Sequence, residues 1–198
     1  MTLNIAVRVW VPADGALHVP WLAPVIEATM IVVLLTSDPS NHAERVRLRR
    51  VALALVVLFV TAALWATALL IRDLIEGAGV TQSPDELLAA GALVWFGNNI
   101  SFALLYWLLD GGGPTARSGR QTPIDLAFTQ HMNPDLAPPG WRPVFLDYLH
   151  LGFTNATAFS PTDVMPLTHR AKYAMLVQAT IALALLGLIV ARAVNAFT

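Results

Sequence analysis

Four long apolar stretches constrain what this chain can fold into. They occupy residues 19–36, 51–71, 87–109 and 173–194. A hydrocarbon core about 30 Å thick needs roughly 20 apolar residues of helix to cross it. Charged residues make up only 13% of the 198 positions, about half the share that is usual in soluble domains. The sequence therefore predicts an all-α integral membrane bundle of four transmembrane helices, in a single membrane domain over residues 1–198.

A fifth apolar segment, at 144–153, is too short to cross a bilayer. It predicts a half-helix near 144–158 that enters the membrane and returns, or else an interfacial helix. Pro143 lies at its start, where a proline costs a helix least. Asp147 and His150 are three residues apart and so share a helical face. We expect these two side chains to be hydrogen bonded to each other, because two ligands alone make a poor metal site.

A polar, turn-rich strip, residues 153–166, follows the half-helix and precedes the last apolar stretch. At membrane depth, non-helical backbone is tolerated only where it is buried in protein or lines a cavity. Span, half-helix, strip and span is also the order in which many channels build an ion filter. The candidate pore-loop residues are Thr154, Asn155, Thr157, Phe159, Ser160, Pro161, Thr162 and Asp163. The alternative is an interfacial hairpin in which Thr154 and Thr157 bond to local backbone.

The segment from Tyr148 to Lys172, with the apolar helix after it, resembles the pore region of potassium channels. That family's pattern is approximately F-T-T-x-T-T-V-G-Y-G-D-x-x-P. Five residues of this chain match it: Phe153, Thr154, Thr157, Asp163 and Pro166. The last four apolar segments also resemble a family of uncharacterised bacterial membrane proteins. The potassium-channel resemblance implies a pore loop, a homo-oligomer (a tetramer) and a monovalent cation as the permeant ion.

The middle of the strip departs from the potassium-channel pattern. Ser160 and Thr162 stand where the filter has glycines, and Pro161 stands where it has tyrosine. Those glycines allow the backbone to alternate in handedness, which β-branched Thr162 strongly disfavours. Pro161 also fixes its own φ near about −65°. The sequence thus predicts a channel-like protein with a degenerate pore loop and unknown selectivity. The alternative is a non-conducting membrane scaffold or accessory subunit.

The distribution of arginines predicts the orientation. Arg45, Arg47, Arg49 and Arg50 lie directly before the second apolar stretch, so that loop is expected in the cytoplasm. The N-terminus then lies outside, and the strip enters from the cytoplasmic side, inverted relative to potassium channels. The predicted location is the cell membrane, as a multi-pass protein of a bacterial inner membrane.

Three more polar residues fall within predicted spans. Glu27 is either a functional intramembrane carboxylate or a water-facing residue near the end of a short span. Asn98 and Asn99 are adjacent and point to different faces, so one could bond a neighbouring helix while the other lines a cavity.

Several classes of function find no support in the sequence. The chain has no cysteine and a net charge of −1, and it carries no catalytic, phosphate-binding or zinc motif. It therefore predicts no enzyme, no cofactor, no metal and no nucleic-acid partner. The lipid bilayer is the predicted partner.

Overall fold

The computed structural model describes residues 42–76, 84–117, 123–157 and 163–196, and this part of the chain is mostly helical. The α-helices are α1 (His42–Glu76), α2 (Pro84–Leu109), α3 (Pro114–Arg117), α4 (Thr129–Met132), α5 (Phe145–Thr157) and α6 (His169–Ala196). A 3-10 turn, Asp110–Gly112, follows α2 directly. Two short strands, β1 (Leu126–Phe128) and β2 (Val164–Pro166), complete the fold. The sequence predicted the three long helices and α5, but neither the short helices α3 and α4 nor these strands.

Three helices contain segments long and apolar enough to cross a membrane: Arg50–Leu69, Leu88–Gly112 and His169–Ala191. They correspond to the second, third and fourth predicted spans, so a mostly helical chain with three candidate spans is confirmed. The first predicted span, 19–36, and Glu27 within it lie outside the described residues. The four-helix bundle, the re-entrant loop and the side of the membrane on which the N-terminus lies stay predictions.

The chain divides into two compact units. The first comprises Met1–Asn98 and Leu183–Thr198, and the second comprises Asn99–Ala182. In the first unit, Gly91 on α2 packs against Ile189 on α6, where an added Cβ would lie 2.5 Å from the Ile189 Cδ1 atom. The second unit contains every candidate residue of the strip that the structure describes.

The core of the second unit is aromatic and aliphatic. Tyr106, Tyr148, Leu126, Leu151 and Ala171 are fully buried there, and they come from four different elements. Strands β1 and β2 form an antiparallel ladder, in which Leu126 pairs with Pro166 and Phe128 pairs with Val164. The ladder fixes the C-terminal end of the strip to the segment that follows α2.

Helix α5 occupies most of the range predicted for the half-helix. Its 13 residues give a length of about 20 Å, short of a bilayer's hydrocarbon core. The backbone N–H of Val144 donates to Asp147 Oδ2 at 2.7 Å, which satisfies an otherwise unpaired donor at the helix start. The first five residues of the strip, 153–157, belong to this helix, so they are not extended backbone. Residues 158–162 lie outside the described chain.

Candidate functional site: two buried polar clusters

The first cluster, here called the amide network, joins three helices through one glutamine. The Gln178 Oε1 atom accepts hydrogen bonds from Tyr106 Oη at 2.6 Å and from Asn155 Nδ2 at 2.9 Å. The Gln178 Nε2 atom donates to the backbone oxygen of Gly152 at 2.9 Å and to Asn99 Oδ1 at 3.3 Å. All four side chains are buried. The network thus ties α2, α5 and α6 together with neutral groups only.

The spacing of these residues follows helical periodicity. Asn99 and Tyr106 are seven residues apart on α2, and Gly152 and Asn155 are three apart on α5. Both spacings place side chains on one face of a helix. Asn155 Nδ2 also donates to the backbone oxygen of Met175 at 2.9 Å, one turn before Gln178.

Glycine allows a close contact where α5 meets α2. A Cβ added at Gly152 would lie 3.2 Å from the backbone oxygen of Asn99 and 3.5 Å from Gln178 Nε2. Because the nearer atom belongs to a helical backbone, it cannot rotate out of the way. A small residue at this position is therefore what lets two helix backbones approach closely.

The second cluster, here called the carboxylate cluster, begins at Asp110, where α2 ends. Asp110 Oδ1 accepts the backbone N–H groups of Asp125 at 2.7 Å and of Leu126 at 3.1 Å. Asp110 Oδ2 accepts the hydroxyl of Tyr148 at 2.7 Å. Asp110 and Tyr148 are both fully buried. One carboxylate therefore fixes the start of β1 and the first turn of α5 to the end of α2.

Asp125 in turn accepts a hydrogen bond from the segment that follows Asp110, and it forms an ion pair with Arg170. Its Oδ2 atom accepts the backbone N–H of Gly111 at 3.0 Å. Its Oδ1 atom accepts Arg170 Nε and Thr168 Oγ1, each at 2.6 Å, and Arg170 Nη2 donates to Oδ2. This bidentate arginine–carboxylate geometry is a strong form of ion pair. Gly111 has φ +55°, a left-handed conformation that side chains disfavour.

A second arginine balances the charge of the cluster. Arg117 Nη1 donates to the backbone oxygen of Trp107 at 2.9 Å and to that of Asp110, so it pairs carbonyls at the C-terminal end of α2. It lies 3.9 Å from Asp110 Oδ2, and its guanidinium lies 5.2 Å from the centre of the Tyr148 ring. Two carboxylates thus face two guanidinium groups, which offsets the cost of burying the anions.

The electrostatic surroundings fix the protonation of Asp125 and Tyr148. Burial by itself raises the pKa of Asp125, but hydrogen bonds from Arg170, Thr168 and Gly111 outweigh it, and the pKa is lowered overall. Burial and the neighbouring Asp110 both raise the pKa of the Tyr148 hydroxyl. At neutral pH, Asp125 is therefore an anion and Tyr148 a neutral donor. Neither is tuned to exchange protons near neutrality, so the cluster suits a structural role.

The described pore-loop candidates bond within the chain. Thr154 Oγ1 donates to the backbone oxygens of His150 at 3.0 Å and Leu151 at 3.1 Å, and Thr157 Oγ1 donates to that of Phe153 at 2.9 Å. This is the local bonding that the interfacial-hairpin alternative expected of the two threonines. Asn155 belongs to the amide network. The candidates Phe159, Ser160, Pro161 and Thr162 lie outside the described residues.

The predicted hydrogen bond between Asp147 and His150 is wrong. Asp147 is bonded to the start of its own helix through Val144, whereas His150 Nδ1 lies 3.5 Å from Asp163 Oδ2. A shared helical face did not decide the partners, because Asp147 accepts a backbone N–H at the helix start and His150 lies beside the carboxylate of Asp163.

Both candidate asparagines join helices. Asn98 Nδ2 donates to Thr67 Oγ1 on α1 at 2.7 Å, within the first unit. Asn99 is the α2 member of the amide network in the second unit. Helix–helix bonding, the role expected of one of them, is therefore found for both.

Sequence reasoning missed most of both clusters. A signal existed for Gln178, an amide inside the last apolar stretch, and for Asp110, an acid directly after the third. A polar residue at membrane depth normally faces a protein partner. No local signal pairs Asp125 with Arg170, because 45 residues separate them.

The comparisons with known proteins leave the site to be interpreted from its own geometry. No protein-family model matches this chain, and no curated protein or solved structure matches it. Within the described ranges, no group of three or more histidine, cysteine or acidic side chains could hold a metal ion.

Proposed function

We propose that this chain acts as a non-conducting membrane scaffold or accessory subunit. The observation that carries the proposal is the bonding of Thr154, Asn155 and Thr157. In the channel hypothesis these three side chains are pore-loop candidates, whereas here each bonds inside the chain. The three candidate spans would anchor such a protein in the membrane.

The amide network strengthens this interpretation. Asn155 is 4% exposed, and its Nδ2 atom lies 2.9 Å from both Gln178 Oε1 and the Met175 oxygen. An ion could reach this amide only by breaking the contacts that join α5 to α6. The described groups are thus used to hold helices in place, which is what a rigid scaffold requires.

A channel-like protein with a degenerate pore loop is the second candidate. It would be cation-permeable, of unknown selectivity, and a homo-oligomer, with a tetramer implied by the potassium-channel resemblance. The observation that favours it is the position of α5, a helix too short to span that lies in sequence between the candidate spans Leu88–Gly112 and His169–Ala191. The Asp163 side chain, which is 37% exposed, would attract cations to the mouth.

Cation flux separates the two candidates. Purified protein in liposomes would be tested under ion gradients and imposed potentials, at pH 5.5 and 7.5. The scaffold proposal expects the flux of protein-free liposomes under every condition. A flux that falls with Asp163→Asn but not with Asp135→Asn would overturn the scaffold proposal. Asp135 serves as the control because it is an exposed acid in the loop before α5.

Two further measurements bear on the channel candidate. A monomer by mass measurement, in nanodiscs and in detergent, would remove a pore on a shared axis. Reporter fusions at Gly112 and Pro166 test the inverted orientation, since both are expected to report cytoplasm. If both report the outer side, the potassium-channel arrangement regains support.

A further inference from the structure

The carboxylate cluster marks one end of two candidate spans. The span Leu88–Gly112 ends within this cluster, and the span His169–Ala191 begins within it. Asp125 holds both ends, because it accepts the N–H of Gly111 and pairs with Arg170. The end of α2 and the start of α6 therefore lie at the same depth. Where the two spans cross a bilayer, that depth is near one surface of its hydrocarbon core.

The amide network lies near the middle of the same two spans. Asn99 precedes Asp110 by 11 residues, and Gln178 follows Arg170 by 8 residues. At the helical rise per residue, these separations are about 16 Å and about 12 Å. Half the thickness of a hydrocarbon core is about 15 Å. Two helices thus independently place the amide network close to the middle of the bilayer.

Helix α5 runs from the depth of the carboxylate cluster to the depth of the amide network. At its start, the Phe145 ring centre lies 5.9 Å from that of Trp107, three residues before Asp110. Seven residues later, a Cβ at Gly152 would lie 3.2 Å from the backbone oxygen of Asn99. Because this second contact involves the backbones of both helices, α5 must descend along α2. A helix lying flat in the membrane interface would not reach the depth of Asn99 within two turns.

The side of α5 that faces away from the amide network carries two rows of different polarity. Spacings of three and four residues place side chains on one face of a helix. The first row, here called the apolar row, consists of Leu146, Leu149 and Phe153. The second, the polar row, consists of Asp147, His150, Thr154 and Thr157. The Leu146 and Phe153 side chains are 68% and 46% exposed, so the apolar row is open to its surroundings.

We propose that the apolar row of α5 contacts lipid acyl chains, and that Phe153 lies close to the middle of the bilayer. Ile100 on α2 and Val177 on α6 are exposed apolar side chains, and each is next in sequence to a residue of the amide network. Phe153 stands in the same relation to Gly152. The apolar row therefore continues the outward apolar surface of the two candidate spans at the same depth. Neither the scaffold nor the channel candidate assigns this surface a partner.

Spin labels on single cysteines test the depth of α5, because the chain has no native cysteine. In nanodiscs of phosphatidylcholine and phosphatidylglycerol, the collision rate with oxygen is compared with that of a water-soluble nickel chelate. The oxygen-to-nickel ratio at Phe153→Cys should match that at Ile100→Cys. It should exceed the ratio at Leu136→Cys by at least about tenfold, because hydrocarbon excludes the polar chelate. Leu146→Cys, seven residues earlier on the apolar row, should give an intermediate ratio.

The lipid-contact proposal has clear failures. Equal ratios at positions 146 and 153 would overturn it, because α5 would then lie flat in the interface. Low collision rates with both reagents at position 153 would also overturn it, since protein and not lipid would cover the apolar row. Labelled variants should keep the helical circular dichroism of the parent, and Leu149→Cys repeats the test if Phe153→Cys does not. None of these outcomes depends on whether the chain conducts ions.

Discussion

The two buried clusters of the second unit solve the same problem with different chemistry. The amide network joins three helices with neutral amides and a phenol, whereas the carboxylate cluster joins helix ends and short loops with full charges. Burying an ion costs far more than burying an amide. Charges are therefore affordable only where each meets an opposite charge and several N–H donors, as Asp110 and Asp125 do.

The contrast teaches where rigidity comes from in this unit. Neutral amides can donate and accept at once, so one glutamine serves three helices. A carboxylate only accepts, so it collects backbone N–H groups and fixes irregular segments. The predictions below test this division, from the largest expected effect to the smallest.

Removal of the Asp110 carboxylate is expected to have the largest effect. Asp110→Ala leaves the N–H groups of Asp125 and Leu126 and the hydroxyl of Tyr148 without their acceptor. Each buried donor without a partner costs about 1–3 kcal/mol, so the free energy of unfolding should fall by more than about 3 kcal/mol. Denaturant titration in detergent measures this. Asp135→Ala, at an exposed position, should change it by less than about 0.5 kcal/mol.

Removal of the central glutamine comes next. Gln178→Met keeps the length of the side chain but removes its four hydrogen bonds. Hydrogen bonds between membrane helices average about 0.6 kcal/mol each, so a loss of about 2 kcal/mol is expected. Thr180→Ala, at an exposed position two residues later, is the control. If Gln178→Met cost more than Asp110→Ala, the two clusters would be ranked wrongly.

Closer packing of α5 against α2 should have a smaller effect. Gly152→Ala places a Cβ 3.2 Å from the Asn99 backbone oxygen, and overpacking costs about 1–3 kcal/mol. Gly187→Ala is the matched control, because a Cβ there meets nothing within 4 Å and alanine favours helix. The same denaturant titration should show the first variant destabilised and the second unchanged or more stable.

Mild acid should have the smallest effect on the stability of the whole unit. Burial lowers the pKa of His131, which the charge of Asp110 only partly offsets, and His131 Nδ1 accepts the N–H of Phe128 at 3.2 Å. The folded state therefore favours neutral imidazole. Its contribution to stability is present above about pH 6.5 and is lost as pH falls. Melts at pH 7.5 and 5.5 should differ in this direction, and the difference should shrink in His131→Gln.

The sequence predicted the parts of the fold that local pattern determines. Three of the predicted spans and the short helix before the strip follow from apolar length and from Pro143. The β1–β2 ladder did not follow, because its three-residue strands are held by Asp110, Asp125 and Thr129 rather than by their own alternation.

The candidate site was predicted less well, for a physical reason. Spacing predicted that Thr154, Asn155 and Thr157 lie near one another, but it could not predict their hydrogen-bond partners. The hydrogen-bond partners of Asn155, which are Gln178 and Met175, lie on another helix about 20 residues later in the sequence. Likewise, Asp147 and His150 share a face, yet the nearest partner of His150 comes from the far end of the strip.

Reagent access to Asn155 tests the central claim most directly, namely that this side chain holds helices together and does not line a pore. The chain has no native cysteine, so Asn155→Cys carries a single thiol. Leu136→Cys, at a position 86% exposed, serves as the reference. With a membrane-impermeant thiol reagent, the account predicts rapid labelling at position 136 and labelling at position 155 only after denaturation. Labelling of the native protein at position 155 as fast as at position 136 would contradict it.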